Sequence, residues 1–183
     1  MRLFLHPITL EVNRMAIRRA EVFADEVIKT VNYRDSNQTN LEKIKNDHFI
    51  SKIGEEAVKK VFELFKHPVK GPDYRIYKGK NKSWEEDLFI GAEGLAVKTQ
   101  KQTAAKKYGL SWTFQSSGYR NDPILKDPFA WVCFVACNDE SLYYECTVYP
   151  PFQIRELDFK DPKLKYLIGK KKVVYAEDLK VLV

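Results

Sequence analysis

The sequence is poor in the residues that build several common kinds of site. Its 183 residues include three cysteines, at positions 133, 137 and 146, and three scattered histidines, at positions 6, 48 and 67. No Cys-x-x-Cys pair occurs, and no cysteine has metal-ligand spacing with a histidine. No Ser/His/Asp set, phosphate-binding glycine loop or dinucleotide fingerprint is present. Small buried thiols are therefore expected, although a disulfide stays open at this point.

Long apolar runs are also lacking, as are internal repeats and low-complexity linkers. No apolar stretch approaches the length of a membrane span. The first residues, Met-Arg-Leu-Phe-Leu-His-Pro, hold too short an apolar stretch for a secretory signal. We therefore expect a soluble, cytoplasmic protein that makes no contact with a membrane. The length fits one domain over residues 1–183.

Positive charge is present in modest excess. The net charge is +6 and the isoelectric point is near 9.1, which favours a polyanionic partner. Lysines cluster at positions 98–107 and 170–172. Each cluster by itself is more often a solvated face than a phosphate track.

The pattern of apolar residues predicts helices flanking a mostly antiparallel or mixed sheet, hence an α/β or α+β fold. We predict helices over 9–32, 41–65 and 101–108, a strand over 73–77, and a hairpin over 84–100. Residues 111–127 are expected to be irregular. Strands over 129–137 and 142–149 are expected to pair with Cys133 opposite Cys146, and 173–175 to form a short strand. The apolar stripes are expected at Val12, Met15, Ala16, Val22, Phe23, Val27 and Ile28 in the first helix, and at Ile50, Ile53, Ala57, Val58, Val61 and Phe65 in the second.

The hairpin is the most informative segment. Gly91 and Gly94 bracket its turn, and closure about Ala92-Glu93 places Asp87 opposite Lys98. Alternation then turns two residues, Phe89 and Ala96, to the wet face with this pair. The core face holds Leu88, Ile90, Leu95 and Val97.

An acid and a lysine on one wet face suit metal-assisted hydrolysis of a phosphodiester. Carboxylates and a backbone carbonyl suit Mg²⁺, and a lysine orients water or stabilises developing negative charge. Glu55 is expected to add a carboxylate from the second helix. Asp73, in Pro72-Asp73, is a weaker candidate because a turn explains it.

These residues resemble the PD-(D/E)XK nuclease superfamily, and within it the type II restriction endonucleases. The resemblance rests on the helix segment Phe49–Val58 with its Gly54-Glu55 step, on Asp87, on the strand Leu95–Gln100, and on the strands that complete the sheet. It implies a restriction-endonuclease-like core over 41–149. Residues 1–40 form a helical extension, with dimerisation as one use, and 150–183 a C-terminal extension.

The resemblance implies that Asp87 ligates Mg²⁺, that Lys98 acts on the attacking water, and that Glu55 and the Val97 carbonyl are further ligands. The departure is Ala96, where the family carries an acid or occasionally Gln. Three explanations stand open: an inactivating Glu→Ala replacement, which we favour; rescue by another acid, Glu55 or Glu93; or loss of catalysis in a nuclease fold. Glu93 belongs to the turn and is expected to point away.

DNA contacts are expected from two segments after the lysine strand. The first holds Gln100, Lys101, Gln102, Lys106 and Lys107, and the second holds Gln115, Arg120 and Asn121. In the alternative interpretation, these residues are ordinary core and surface.

The expected function is a Mg²⁺-dependent, type II site-specific deoxyribonuclease that cuts double-stranded DNA as a homodimer. The alternatives are a junction-resolving, homing or repair nuclease of the same fold, and a catalytically dead DNA-binding module.

Overall fold

A computed structural model describes residues 1–30, 39–77, 86–117 and 121–180. Its strands are β1 (Ile8–Glu11), β2 (Val69–Lys70), β3 (Leu88–Ile90), β4 (Glu93–Lys101), β5 (Ser111–Gln115), β6 (Trp131–Asn138), β7 (Glu145–Val148), β8 (Phe152–Gln153) and β9 (Lys171–Tyr175). Its α-helices are α1 (Arg14–Val27), α2 (Leu41–Leu64) and α3 (Gln102–Tyr108). Short 3₁₀ turns, the first at Ile28–Thr30, complete the regular structure.

The main sheet is curled, and it is mixed, as the sequence predicted. Within the described residues its strand order is β1-β7-β6-β4-β3-β2, and β8 also pairs with β6. Strand β4 runs parallel to β6, with α3 in the connection between them, while the other pairs are antiparallel. Strands β5 and β9 form a separate antiparallel pair. Strand β4 thus lies inside the sheet, where both of its neighbours constrain it.

Helices α1 and α2 cover one face of this sheet. Helix α2 begins where the Asn40 side chain accepts a hydrogen bond from the N–H of Lys43. Its buried stripe contains Ile50, Ile53, Ala57, Val58 and Val61, as predicted. Phe65, predicted to be buried, is 41% exposed, and Phe62 is buried in its place.

The β5–β9 pair covers the opposite face. Trp112 and Phe114 of β5 pack with Phe134 of β6 in a second apolar cluster. Side chains along β6 alternate between the two faces of the sheet. Val132 and Phe134 lie in this second cluster, while Cys133 lies in the cluster under the helices. The short β9 confirms the predicted strand at 173–175. Residues 111–115, expected to be irregular, are a strand because β9 supplies the pairing partner.

The first predicted helix is wrong at its start. Residues Ile8–Glu11 form an edge strand paired with β7, and the helix begins only at Arg14 after an Asn13 cap. Its buried stripe is Ala16, Ala20 and Ala24, whereas Met15 is 71% exposed. Small alanines let α1 approach α2 closely, so tertiary packing overrides the stripe of larger residues. These N-terminal elements share the core that lies beneath β4.

Two further expectations are wrong. Residues 73–77 form no strand; the structure has the two-residue β2 at Val69–Lys70 instead. Strands β6 and β7 pair with Cys137, rather than Cys133, opposite Cys146. All three thiols are free and buried, as small apolar groups. No helix in the described parts of the chain is both long and apolar enough to cross a membrane.

Candidate active site

The hairpin closes one residue earlier than its sequence suggested. The observed partners are Leu88 with Leu95, Phe89 with Gly94 and Ile90 with Glu93, around a two-residue turn. Gly91 holds φ +63° at the first central position of that turn, which favours glycine and sets the register. Symmetric closure about Ala92-Glu93 is therefore wrong. Continued past Leu88, the observed register brings Asp87 to Ala96 rather than to Lys98.

The predicted alternation of the hairpin residues between two faces is confirmed, but the expectation that the Ala96 face is wet is wrong, because the β5–β9 pair covers it. Leu88 and Leu95 are fully buried, and Val97 is 6% exposed, all in the cluster under the helices. Ala96 lies on the opposite face and is 8% exposed, in the second apolar cluster. Alternation along β4 puts Lys98 on the Ala96 face.

Asp87 lies just before β3, where that strand separates from β4. Its Oδ2 accepts a hydrogen bond from the Val97 N–H at 2.7 Å. The carboxylate therefore takes the place of a backbone acceptor where the β3–β4 pairing ends. In a strand, the N–H and C=O of one residue face the same neighbour, so the Val97 carbonyl is turned to this edge too. Burial raises the pKa of the Asp87 carboxyl, against the opposing effects of the Val97 N–H and of the Lys98 charge.

Glu55 is buried close to β4 because Gly54 lets α2 approach that strand. A Cβ atom on Gly54 would lie 1.8 Å from Thr99 Oγ1, so any side chain there forces the helix away. Glu55 is 1% exposed; Lys52 Nζ donates to its Oε2 at 2.7 Å and Ser51 Oγ to its Oε1 at 3.2 Å. Burial, followed by the charge of Asp87, raises the pKa of Glu55 to about 8. The two carboxylates are thus electrostatically coupled.

Lys98 does not pair with Asp87. Its Nζ donates to Asp122 Oδ2 at 2.5 Å and lies 4.9 Å from the centre of the Phe114 ring. Both members of the Lys98–Asp122 pair are partly buried. The Lys98 charge nevertheless opposes the rise in the pKa of Asp87. Asp122 is a site residue that sequence reasoning missed, because its Asp-Pro step indicated only a turn.

Glu86 is a second residue that was missed. A Cβ atom on Gly94 would lie 2.3 Å from Glu86 Cγ, so the Glu86 side chain occupies the space left by that glycine. Gly94 shares the face of Ala96 by alternation. Burial, then the charges of Asp87 and Asp122, raise the pKa of Glu86. The only sequence signal for Glu86 was its position directly before Asp87.

A cavity of about 470 Å³ opens beside Asp87. It lies between α1, α2, the segment 70–77 and the start of β3, and both Glu86 and Asp87 line it. Asp73 also lines it, but Asp73 forms a two-pronged ion pair with Arg75 and accepts a hydrogen bond from the Tyr77 hydroxyl at 2.6 Å. These partners hold the pKa of Asp73 well below its usual range. The hydrogen bond from Arg75 lowers the pKa most, and it outweighs burial, which raises it. The Asp73 carboxylate is therefore engaged by its near neighbours Arg75 and Tyr77.

The carboxylates beside the cavity have the chemistry that suits Mg²⁺. Among the described residues, no three His, Cys, Asp or Glu side chains are grouped so that they hold an ion by themselves. Mg²⁺ commonly uses one or two carboxylates and completes its shell with water and substrate phosphate. Asp87, with Glu55 or Glu86, matches that donor set, and the Val97 carbonyl faces the same edge.

The first group of predicted DNA-binding residues lies at the other end of β4. Gln100 is engaged internally, since its Oε1 accepts from Ser111 N–H at 2.8 Å and its Nε2 donates to the Gly109 carbonyl. Lys106 forms an ion pair with Glu140 in the β6–β7 turn. Lys107 is exposed and lies 5.1 Å from the Tyr108 ring centre. Lys101 ends β4, and Gln102 begins α3.

The two described residues of the second group, Gln115 and Asn121, lie near the Lys98–Asp122 pair. Gln115 ends β5, and its carbonyl accepts from the Asp122 N–H at 2.9 Å. Asn121 is exposed beside this contact. Arg120 lies outside the described residues. The structure therefore joins Asp87 to Val97 and keeps Glu55 and Lys98 within electrostatic range of Asp87. The α3 lysines lie at the other end of β4.

No family model, curated protein or solved structure matches this chain. The assignment of a function therefore depends on the geometry of the site and on the residue pattern.

Proposed function

We propose that this protein is a Mg²⁺-dependent endodeoxyribonuclease with a PD-(D/E)XK-type site. The observation that carries the proposal is a pair of buried, electrostatically coupled carboxylates. Asp87 is held by the Val97 N–H where β3 separates from β4, and its charge acts on the buried Glu55. The order of the pieces supports it: a helix with the Gly54-Glu55 step, an aspartate strand, a lysine strand, then a strand that completes the sheet. Type II cleavage of duplex DNA, the homodimer and the cytoplasmic location stay predictions.

Each residue has a distinct role in this proposal. A bound Mg²⁺ supplies a Lewis acid and lowers the pKa of a coordinated water. Asp87 holds the ion, with its carboxylate oriented by the Val97 N–H. The raised pKa of Glu55 favours its protonated form at neutral pH. Glu55 would add an oxygen ligand to the ion after it loses this proton. Lys98, positioned by Asp122, acts on the attacking water or on the developing negative charge.

Glu86 bears on the missing acid at position 96. Its side chain fills the space over Gly94, two residues before Ala96 on the same face. We propose Glu86, rather than Glu93, as the acid that substitutes if the sequence is natural. Glu93 is exposed beside the turn, as expected. The other two explanations, an inactivating replacement at Ala96 and loss of catalysis in a nuclease fold, stay open and are separated by the variants below.

The primary test is cleavage of supercoiled plasmid and of single-stranded circular DNA by purified protein with Mg²⁺. We expect cleavage, by the wild type or by Ala96→Glu, that EDTA abolishes and that Lys98→Ala in the same background removes. Lys165→Ala changes an exposed lysine in a 3₁₀ turn and should leave that cleavage intact. Intact cleavage in Lys98→Ala would refute the assignment. DNA binding without cleavage, in wild type and in Ala96→Glu alike, would indicate the non-enzymatic module.

The Ala96 and Glu86 variants separate the explanations of the missing acid. Activity that appears only in Ala96→Glu indicates an inactivated chain. Activity in the wild type that Glu86→Gln abolishes, and that Glu86→Gln with Ala96→Glu restores, indicates substitution by Glu86. Calorimetric titration with Mn²⁺ gives a readout without turnover. If Glu86 is the substituting acid, Glu86→Gln should bind Mn²⁺ more weakly than the wild type does.

A further inference from the structure

The cavity beside Asp87 has walls that suit an unpaired nucleotide. Phe23 from α1 and Phe89 from β3 supply aromatic rings, and Lys52 and Lys70 supply cations. Lys70 lies opposite Phe89 in the β2–β3 pair, with its Nζ 5.6 Å from the centre of that ring. Proteins that hold single-stranded nucleic acid combine these two elements, because every base has a stacking face and every nucleotide a phosphate.

The size of the cavity selects against a duplex. A volume of about 470 Å³ is in the range of pockets that enclose one small molecule. Bases of a duplex are stacked on their neighbours, so one of them enters such a cavity only after it leaves the stack. The rings of Phe23 and Phe89 are half-buried and line this cavity, so they are placed to contact a base that has left the stack.

The charges in the cavity are arranged unevenly. Lys52 is committed to Glu55 and lies 5.0 Å from the centre of the Phe23 ring. Lys70 is exposed and forms no ion pair within the described residues, which leaves its charge available to an anion. Asp87 and Glu86 line the same cavity. One wall therefore suits a base and a phosphate, and another suits a phosphate held through a divalent cation.

We propose that this cavity binds a single unpaired nucleotide of the DNA strand that is cut, so that the substrate is single-stranded or carries a single-stranded end or flap. The base lies against Phe89 and Phe23, and the neighbouring phosphate contacts Lys70. This inference rests on the proposed nuclease function and names its substrate class. It favours the repair or junction-resolving alternative over cleavage of intact duplex.

Binding measured in EDTA tests the inference without cleavage. The probes are a fluorescein-labelled strand of about 15 nucleotides, a length that single-strand sites span, its blunt duplex, and that duplex with a short overhang. We expect the strand and the overhang to bind at least about tenfold more tightly than the blunt duplex, by fluorescence anisotropy. Equal or tighter binding of the blunt duplex would overturn the inference.

Aromatic substitutions test the role of the cavity itself. Phe89→Leu keeps the apolar bulk but removes the stacking face, and should weaken strand binding about tenfold, while Phe89→Trp retains it. Tyr166→Leu changes an aromatic ring that is 67% exposed and does not line the cavity, and serves as the control. Phe23→Leu repeats the test on another element if Phe89→Leu fails to fold. Equal affinities of the cavity and control variants would contradict the proposal.

The two proposals fail separately. Preference for the single strand without Mg²⁺-dependent cleavage, in wild type and in Ala96→Glu alike, supports the nucleotide site and refutes the nuclease. Cleavage of plasmid that depends on Lys98, with no preference for unpaired DNA, supports the nuclease and refutes the nucleotide site.

Discussion

The two ends of β4 carry similar charged residues in opposite circumstances. At one end, Asp87 lines a cavity and its charge acts on the buried Glu55. At the other, Asp139 accepts hydrogen bonds from the Thr103 N–H at 3.0 Å and from its hydroxyl at 2.6 Å, and Lys106 pairs with Glu140. Ala96 and Lys101 are five steps apart along an extended strand, a distance of about 17 Å.

The difference lies in what each carboxylate gains from its surroundings. Burial raises the pKa values of Glu55 and Asp87 because it disfavours their ionised forms, which a further cation would stabilise. At the other end burial has the same tendency, but the Thr103 hydrogen bonds outweigh it and lower the pKa of Asp139. Perturbed carboxylates beside a cavity indicate function, whereas satisfied ones indicate structure. The predictions below test this contrast, from the largest effect to the smallest.

Matched Asp→Asn changes give the largest contrast. Asp87→Asn should reduce Mg²⁺-dependent cleavage at least about hundredfold, because it removes a charge at the reacting centre. Asp139→Asn should leave the rate unchanged and lower the free energy of unfolding by about 1 kcal/mol, because it weakens a cap on α3. Initial cleavage rates and urea unfolding measure the two effects. A similar loss of activity in both variants would remove the distinction between the two ends.

The close approach of α2 to β4 should be costly to disturb. Gly54→Ala should lower the free energy of unfolding by about 1–3 kcal/mol, because its Cβ collides with the Thr99 side chain. Thr99 Oγ1 is buried without a hydrogen-bond partner in the described structure, so Thr99→Ala by itself should cost less. Thr99→Ala should also relieve part of the Gly54→Ala loss in a double-mutant cycle followed by urea unfolding. Strictly additive losses would contradict the contact.

The raised pKa of Glu55 should make stability depend on pH. The folded protein keeps the Glu55 proton up to pH about 8, while the unfolded chain releases it near the ordinary value of 4.5. The free energy of unfolding should therefore fall as pH rises through this window. Glu55→Gln should remove about 1–3 kcal/mol of that fall between pH 5 and 8.

Denaturant unfolding at several pH values measures this difference. Glu63→Gln is the control, because Glu63 is an exposed carboxylate on the same helix. Parallel pH curves for wild type and Glu55→Gln would show that Glu55 titrates normally.

The smallest contrast lies within α3. Lys106 is paired with Glu140, whereas Lys107 forms no ion pair among the described residues. If α3 contacts phosphates, Lys107→Gln should weaken DNA binding about threefold and lower the salt-dependence slope by about 1, with a smaller effect for Lys106→Gln. Anisotropy titrations at several salt concentrations measure both. The reverse order would show that the Glu140 pair opens when DNA binds.

Local patterns predicted much of the site. The Gly54-Glu55 step was placed on a helix, the hairpin was recognised, and the core residues Leu88, Leu95 and Val97 were assigned to the correct face. These features depend on neighbours along the chain, through helical spacing and strand alternation. The exact turn was missed because several positions near Gly91 and Gly94 satisfy the same alternation. A one-step slip then changed the partner of Asp87.

By itself, the sequence determined the long α2, the alternating faces of β4 and the set of carboxylates and lysines available for chemistry. Only the tertiary structure decided which of them meet. It put Ala96 opposite Asp87, paired Lys98 with Asp122, laid Glu86 over Gly94 and engaged Gln100 with a loop. The physical reason is that burial and charge pairing depend on groups distant in sequence, and no local spacing records how closely they approach.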